Sequence, residues 1–250
     1  MHPVLFHIGP VPIFSYGVFV LLGTAVLFAM ALTLARHYGR SWEQLWPVAL
    51  GVLVGGLFGA RLSHLIVEPE RFDEFANFYA VLRPGTPGNV LGLLIGGYLG
   101  GLVMRRRLLL PSSANFYAPA LAAAAVLWRV GCTLAGCCYG KETELPWAMW
   151  LAGAQRHPTM IFEGLFNLLM FVALCRLLPK VKEDELLLMG YLAAYAAFRF
   201  LLEFIRVYPP LAFGLTGIQF LSLAMLLGIG AWFVRRRIGV RAAGNGVLAP

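Results

Sequence analysis

The chain has 250 residues, 60% of them hydrophobic and 13% charged, with a formal net charge of +8 and a mean hydropathy of +0.76. This composition excludes a water-soluble domain and predicts a polytopic membrane protein. The positive charge does not indicate nucleic-acid binding, because basic residues on the cytoplasmic flanks of membrane spans give the same excess.

The N-terminal segment has no Lys or Arg before its apolar part, so it lacks the charged start of a cleavable signal peptide, and we expect it to be retained. Its prolines and aromatic residues favour a short segment that lies at the membrane interface before the first helix. A flexible terminus is the alternative.

Seven apolar segments predict an all-α fold with seven transmembrane helices in a single domain, residues 1–240, followed by a flexible tail, residues 241–250. The predicted spans are residues 13–34, 45–66, 90–104, 116–134, 159–178, 185–205 and 213–234.

The basic residues predict the orientation of these spans. Twelve of the twenty Lys and Arg residues fall on one side of the predicted membrane, five on the other and three within spans. Because the side richer in Lys and Arg is the cytoplasmic one, the N-terminus is expected outside and the C-terminus inside.

Glycines recur every fourth residue in two neighbouring spans, at Gly51, Gly55 and Gly59 and again at Gly92, Gly96 and Gly100. Such stripes are typical of close helix packing, although they can also widen a groove for a lipid chain. The loop at residues 68–83 is acidic and aromatic, and it is either a lid or a connector.

Residues 128–140, WRVGCTLAGCCYG, combine an arginine in an apolar run with three of the four cysteines. A central charge costs roughly 2.5 to 3.5 kcal/mol even on the mildest insertion scale, so Arg129 is a candidate functional residue. The glycines of this stretch permit close approach of backbone or ligand.

The sixth predicted span carries a polar stripe. Its members recur at helical spacing and share one face: Tyr191, Tyr195, Arg199, Glu203 and Arg206. Arg199 and Glu203 are expected to pair, either to fix helix packing or as part of a site.

Charge balance favours an anion site on this stripe. With Glu163, Arg61 and Arg129 added, four arginines face two glutamates, and arginine binds phosphate through paired hydrogen bonds. An enzyme acting on a phospholipid and a lipid-binding or transporting protein are the two hypotheses that follow.

A redox or metal role for Cys132, Cys137 and Cys138 is a third hypothesis, which the sequence disfavours. Cys137 and Cys138 are adjacent, and the spacing from Cys132 differs from that of the common structural zinc pairs. The first alternative is that the three cysteines are small buried thiols that pack the end of a helix. A second alternative is a disulfide between Cys132 and either Cys137 or Cys138. A last hypothesis is that the three thiols replace part of a binding site.

The chain resembles the bacterial prolipoprotein diacylglyceryl transferases over nearly all its length. The shared features are His2-Pro3 with Ile8-Gly9-Pro10, Ser15-Tyr16-Gly17, Gly59-Ala60-Arg61, Arg129 with Gly131 and Gly140, His157-Pro158-Thr159 with Glu163, and Phe198-Arg199 with Glu203, Phe204 and Arg206. Members of this family have seven spans and an external N-terminus, in agreement with the topology predicted from the charges.

The resemblance implies transfer of a diacylglyceryl group from phosphatidylglycerol, or another anionic phospholipid, to the lipobox cysteine of a preprolipoprotein in the bacterial inner membrane. It gives Arg129 and Arg199 phosphate-facing roles, places Tyr16 beside the lipid and lets Glu203 orient Arg199. The other residues expected to bind substrate are Arg61, Gly92, Cys132, Cys137, Gly140, His157, Glu163, Tyr195 and Arg206. No metal or other cofactor is expected, and a monomer is predicted.

The chain departs from the family pattern at two motifs. Leu91 stands where the family has the histidine of an HGGL motif, and Cys132, Ala135, Gly136 and Cys137 stand where the family has asparagines, a glycine and a glutamate. Without the histidine, forming a thiolate at pH 7 costs about 2 kcal/mol for a free thiol of pKa near 8.5. The departures favour, as an alternative, a paralogue that binds or transports a phospholipid or uses another acceptor.

Two other histidines are candidates for the missing base. His64 follows Arg61 by three residues and therefore shares its helical face. The alternative to a catalytic role is that His64 lies at the membrane interface and is hydrated by water. His157 begins the fifth span, where it either caps the helix or takes part in the reaction.

Overall fold

The computed structural model describes residues 2–67 and 89–245, and seven long helices occur in these two ranges. They are α1 (Ser15–His37), α2 (Trp42–Val67), α3 (Val90–Arg107), α4 (Ala114–Ala135), α5 (Thr159–Leu177), α6 (Leu186–Leu202) and α7 (Gly217–Asn245). Each predicted span therefore corresponds to a helix. Helix α7 extends to Asn245, so the first part of the expected flexible tail is helical, and residues 246–250 lie outside the described residues.

Six of these helices are long and apolar enough to cross a membrane, which makes the protein a multipass membrane protein. Helix α3 is not one of the six, because its last turn carries Arg105, Arg106 and Arg107 and the apolar part of the helix is correspondingly short. Its apolar part, residues 90–104, spans about 22 Å at 1.5 Å per residue, against a hydrocarbon core of about 30 Å.

The all-α fold class is confirmed, and two short β-hairpins accompany the helices. The first pairs β1 (Val4–Ile8) with β2 (Val11–Phe14), and the second pairs β3 (Met149–Leu151) with β4 (Ala154–Arg156), both antiparallel. The first hairpin lies mainly in the predicted interfacial segment, and the second lies in the connection between the fourth and fifth predicted spans.

The N-terminal hairpin is tied to the helices on each side of it. The His2 amide donates to the Leu134 carbonyl at 3.0 Å, and the Ser15 amide donates to the Pro3 carbonyl at 2.9 Å. A flexible terminus is therefore wrong. The exposed apolar side chains of the hairpin, among them Phe6 and Ile8, suit a membrane interface.

Helices α2 and α3 form the most extensive pair of the fold through their glycine stripes. Gly51, Gly55 and Gly59 lie against Gly100, Gly96 and Gly92, respectively. A Cβ added to Gly51 would lie 2.6 Å from the Gly100 carbonyl oxygen, and the other two pairs are closer still. Close packing is thus confirmed as the role of these stripes.

Helix α4 lies at the centre of the bundle, where it packs against α1, α5 and α6. Its alanine-rich first half is almost fully buried, and small side chains there let neighbouring helices approach closely. This packing fixes the position of the last turns of α4, which carry Arg129 and Cys132.

Candidate active site

A cavity of about 500 Å³ opens between the helices, with lining residues from α1 to α6. Its middle is apolar, with walls that include Leu27, Phe28, Val52 and Leu93. The volume falls within the range of about 300–1,000 Å³ that is typical of sites for small molecules. An apolar wall of this kind suits acyl chains.

Polar groups line the cavity at both ends of α3. At one end lie Tyr16, Arg61, Asn89, Arg129 and Glu163. At the other end, Arg105 pairs with Glu185 at 2.6 Å, and the Tyr98 hydroxyl donates to the same carboxylate at 3.0 Å. The sequence did not indicate this second polar end, because its residues flank different spans.

Glu163, at the start of α5, is the centre of a buried ionic network. Its carboxylate forms an ion pair with Arg129 and accepts a hydrogen bond of 2.6 Å from the Tyr195 hydroxyl. Arg199 and Arg206 lie 3.9 and 4.0 Å from the other carboxylate oxygen. The prediction that Glu163 neutralises one arginine is confirmed, and it in fact contacts three.

The predicted polar stripe of α6 is confirmed as one buried face. Arg199 Nη1 lies 3.1 Å from Glu203 Oε2, which confirms the expected pair. Arg206 Nε lies 3.9 Å from the same oxygen, and the Thr216 hydroxyl donates to the other oxygen of Glu203 at 3.3 Å. A short 3-10 turn, Glu203–Ile205, keeps Glu203 on this face after α6 ends.

Arg129 and Arg199, the two residues with expected phosphate-facing roles, lie in different places relative to the cavity. Arg129 lines the cavity, whereas Arg199 is not among the lining residues and lies on the other side of the Glu163 carboxylate. Glu203 and Arg206 are likewise absent from the lining. Arg199 and Arg206 contact Glu163, which lines the cavity, and Glu203 contacts both of these arginines.

Charge in this region remains unbalanced. Among the described residues, the buried network holds three arginines and two glutamates. Burial by itself lowers the pKa of Arg206, but Tyr208 and Glu163 raise it above its ordinary value, so this guanidinium stays protonated. The excess positive charge favours an anion at this end of the cavity.

Two hydrogen bonds behind Glu163 were not predicted. Asn167 Nδ2 donates to the Glu163 carbonyl at 2.8 Å, and the Tyr191 hydroxyl donates to Asn167 Oδ1 at 2.7 Å. Asn167 lies one turn after Glu163 on α5, and a polar amide in an otherwise apolar span was the signal that could have identified it.

The three thiols of the cysteine-rich stretch meet at one point. The Sγ atoms of Cys132, Cys137 and Cys138 all lie within 4.8 Å of one another, and each cysteine is free. Cys132 lines the cavity, and Arg129 Nη1 lies 3.6 Å from its Sγ. The spacing argument against a joint site was wrong, because the chain reverses direction at the end of α4. These are the described residues that could hold a metal ion.

The predicted site residues Gly140 and His157 lie beside the cavity rather than in its lining. The Gly140 amide donates to the His157 carbonyl at 2.8 Å, and a Cβ on Gly140 would lie 2.5 Å from the Ile205 carbonyl oxygen. Gly140 also forms a β-bridge with Arg206. The two residues thus join the segment after the cysteines to the end of α6.

Gly92, which was predicted to bind substrate, also lies outside the cavity lining. It is buried against Gly59 and Ser63 and does not line the cavity. The glycines one position further along the helices, Gly56, Gly97 and Gly101, do line it. The interpretation that glycines widen a groove for a lipid chain therefore applies to these neighbouring glycines and not to the packed stripes.

Of the two candidates for a general base, His157 does not line the cavity. The His157 ring accepts a hydrogen bond of 3.4 Å from Trp147 Nε1 at the protein surface. Leu91, at the position of the family histidine, is 1% exposed and belongs to the hydrophobic core. The side chain of His64 and the loop at residues 68–83 lie outside the described residues.

Comparisons with known proteins agree with this geometry. Residues 3–235 match the family model described as prolipoprotein diacylglyceryl transferase. The chain is 26% identical over 252 residues to a phosphatidylglycerol--prolipoprotein diacylglyceryl transferase of Clostridium tetani, covering 94% of this chain and 98% of that protein. It is 29% identical over 260 residues to the enzyme so named in Coxiella burnetii, covering 94% and 95% of the two chains. Since the family model spans almost the whole sequence, the chain belongs to the prolipoprotein diacylglyceryl transferase family.

Proposed function

We propose that this protein transfers the diacylglyceryl group of phosphatidylglycerol to a cysteine thiol of a prolipoprotein. The family model and the names of the relatives support this transferase activity. The observation that carries the proposal is the cavity, whose apolar middle leads to the polar end formed by Tyr16, Arg61, Arg129 and Glu163. A diacylated phosphate ester matches this combination of an apolar wall and a cationic end.

The reaction is a nucleophilic displacement at a glycerol carbon. The acceptor sulfur forms a bond to that carbon while the bond from the carbon to the phosphate oxygen breaks, which gives a thioether and glycerol phosphate. The protein contributes by holding the two reactants in line and stabilising the departing phosphate. Arg129 is placed to do the second, because its side chain is only 11% exposed and it lines the cavity.

The remaining charged residues act behind Arg129. Glu163 holds Arg129 in place, Arg199 and Arg206 contact the far oxygen of Glu163, and Glu203 orients both of these arginines. Tyr16 and Arg61 complete the polar end at the lipid. Arg199, Arg206 and Glu203 are therefore positioning residues in this proposal.

The membrane arrangement is part of the proposal. Seven spans with the N-terminus outside place Arg129 and Glu163 in the outer half of the bacterial inner membrane, and α3 completes the seven although it is short. One domain, residues 1–240, acts as a monomer, with an anionic phospholipid and a preprolipoprotein signal peptide as substrates.

The test is release of labelled glycerol phosphate when the purified protein meets headgroup-labelled phosphatidylglycerol and a peptide with a lipobox cysteine. Arg129→Ala should lower the rate by about 10²- to 10³-fold, because one positioned donor to a developing anion contributes about 3 to 4 kcal/mol. Arg156→Ala is the matched control, because Arg156 does not line the cavity and pairs with Glu142, whose side chain is 67% exposed. Equal rates for both variants, with both folded, would refute the role of Arg129.

A lipid-binding or transporting protein is the second candidate function. The observation that favours it is the length of the cavity, which reaches both Asn89 and Arg105 at opposite ends of α3. Stoichiometric phosphatidylglycerol retained in native mass spectrometry without any released glycerol phosphate would select this function over the transferase.

A further inference from the structure

The end of α4 folds so that three thiols converge. Gly136 caps the helix with a φ of +69°, and the Cys137 amide then donates back to the Cys132 carbonyl at 3.1 Å. Cys138 has a φ of +64°, which is an unfavourable backbone conformation for a residue with a side chain. Its carbonyl accepts a hydrogen bond of 2.5 Å from the Thr159 hydroxyl, which holds the reversed chain against α5.

The surroundings of the trio Cys132, Cys137 and Cys138 suit a soft cation. The trio packs in one cluster with Met149 and Met160, so the sulfur donors lie in a largely apolar environment. Three thiolates and one divalent ion carry a net charge of −1. The Arg129 guanidinium, 3.6 Å from the Cys132 sulfur, offsets this charge.

We infer that Cys132, Cys137 and Cys138 bind a zinc ion through three thiolates, and that its fourth position takes the acceptor thiol. Thiolate ligands select soft ions such as zinc, and zinc sites with three protein ligands keep one position open for a reactant. Cys132 lines the cavity, so the open position faces the space where the lipid is expected. The second half of this inference rests on the proposed transferase function.

Such a site supplies the thiol activation expected of the family histidine, whose position is occupied by Leu91 in this chain. A thiol that coordinates zinc is deprotonated outright, so its proton passes to water and its sulfur remains nucleophilic at neutral pH. A sulfur electron pair then forms the bond to the glycerol carbon, and the electron pair of the broken carbon–oxygen bond leaves with the phosphate. Zinc keeps its oxidation state throughout, and the products are the thioether and glycerol phosphate.

The metal site is tested on the purified full-length protein with reductant present, by metal analysis and by titration with Co²⁺. We expect one ion per chain and the charge-transfer absorption of cobalt bound to several sulfurs. Cys132→Ser, Cys137→Ser and Cys138→Ser should each weaken binding at least tenfold. Cys175→Ser is the control, because Cys175 is exposed on α5 and belongs to no thiol cluster among the described residues.

The folded state of each variant is checked by its thermal unfolding midpoint. If Cys132→Ser does not fold, the result is read from Cys137→Ser and Cys138→Ser, whose side chains are only partly buried. No stoichiometric metal in the wild type, copper in place of zinc, or equal binding by a variant lacking all three thiols would overturn the site.

A second experiment separates the site from the proposed reaction. Removal of the metal with a chelator should lower glycerol phosphate release at least tenfold, and added Zn²⁺ should restore it. Transfer that is unaffected by complete removal of the metal overturns thiol activation. If cobalt binds through three sulfurs but neither the metal-free nor the zinc-loaded protein releases glycerol phosphate, the metal site is supported and the transferase function is refuted.

Discussion

Two faces of this bundle follow the same spacing of four residues but form opposite kinds of contact. The glycines of α2 and α3 bring two backbones together, whereas the polar residues of α6 surround a buried carboxylate. We expect substitutions in both faces to lower the stability of the fold, for different reasons. The glycine face has no space for another atom, and the polar face depends on charge pairing. The periodicity shows which residues share a face, and the residue type determines what that face can do.

The largest expected effect comes from Glu163→Gln, which leaves Arg129, Arg199 and Arg206 around a neutral group. Breaking a buried ion pair on one side costs about 3 to 5 kcal/mol, so we expect the free energy of unfolding to fall by this amount. Denaturant unfolding in detergent measures it. Glu142→Gln is the control, because its carboxylate is 67% exposed and the pair with Arg156 is expected to contribute less than about 1 kcal/mol. Equal stability of the two variants would show that the network is not held by charge.

An intermediate effect is expected at the glycine face. In Gly59→Ala the new Cβ would overlap the Gly92 carbonyl oxygen, so α2 and α3 must separate, at a cost of about 1 to 3 kcal/mol. Thermal unfolding of this variant is compared with that of Gly190→Ala, where no atom lies within 4 Å of the added carbon. An equal loss of stability in both variants would show that the backbone conformation of glycine matters at these positions, and not the contact between α2 and α3.

The smallest effect is expected at the outermost partner of the polar face. Tyr191→Phe removes the 2.7 Å hydrogen bond to Asn167 Oδ1 and keeps the ring, so the loss of stability should be about 0.5 to 1.5 kcal/mol. Tyr195→Phe should cost more, about 1.5 to 3 kcal/mol, because its hydroxyl donates to the charged Glu163. The same unfolding measurement on both variants tests this order, and a larger loss for Tyr191→Phe would reverse it.

Local features of the sequence predicted most of the helical architecture. Hydropathy located all seven helices, and helical spacing identified the buried stripe from Tyr191 to Arg206 as well as the glycine contact. These predictions succeeded because each depends on residues within one helix. The two hairpins were missed, since strands of three to five residues are too short to carry a clear periodic signal.

The site was predicted in its composition but only partly in its arrangement. Arg129, Glu163, Tyr195 and Arg199 were all named from the sequence, yet the sequence did not show that Arg129 lines the cavity and Arg199 does not. The structure places the Glu163 carboxylate between the two guanidinium groups. Which side of a helix faces a cavity depends on the neighbouring helices, and a single sequence does not contain that information.

The sequence by itself determined the membrane class, the helices and the excess of buried positive charge, because apolar length, helical spacing and the cost of a charge in lipid act locally. The tertiary structure alone decided that α4 ends in a reversal that gathers Cys132, Cys137 and Cys138, and that Glu163 contacts three arginines from two other segments. These contacts depend on distances between side chains that are far apart in the chain or on the two sides of a helix cap. Packing of the bundle fixes those distances, and residue spacing does not.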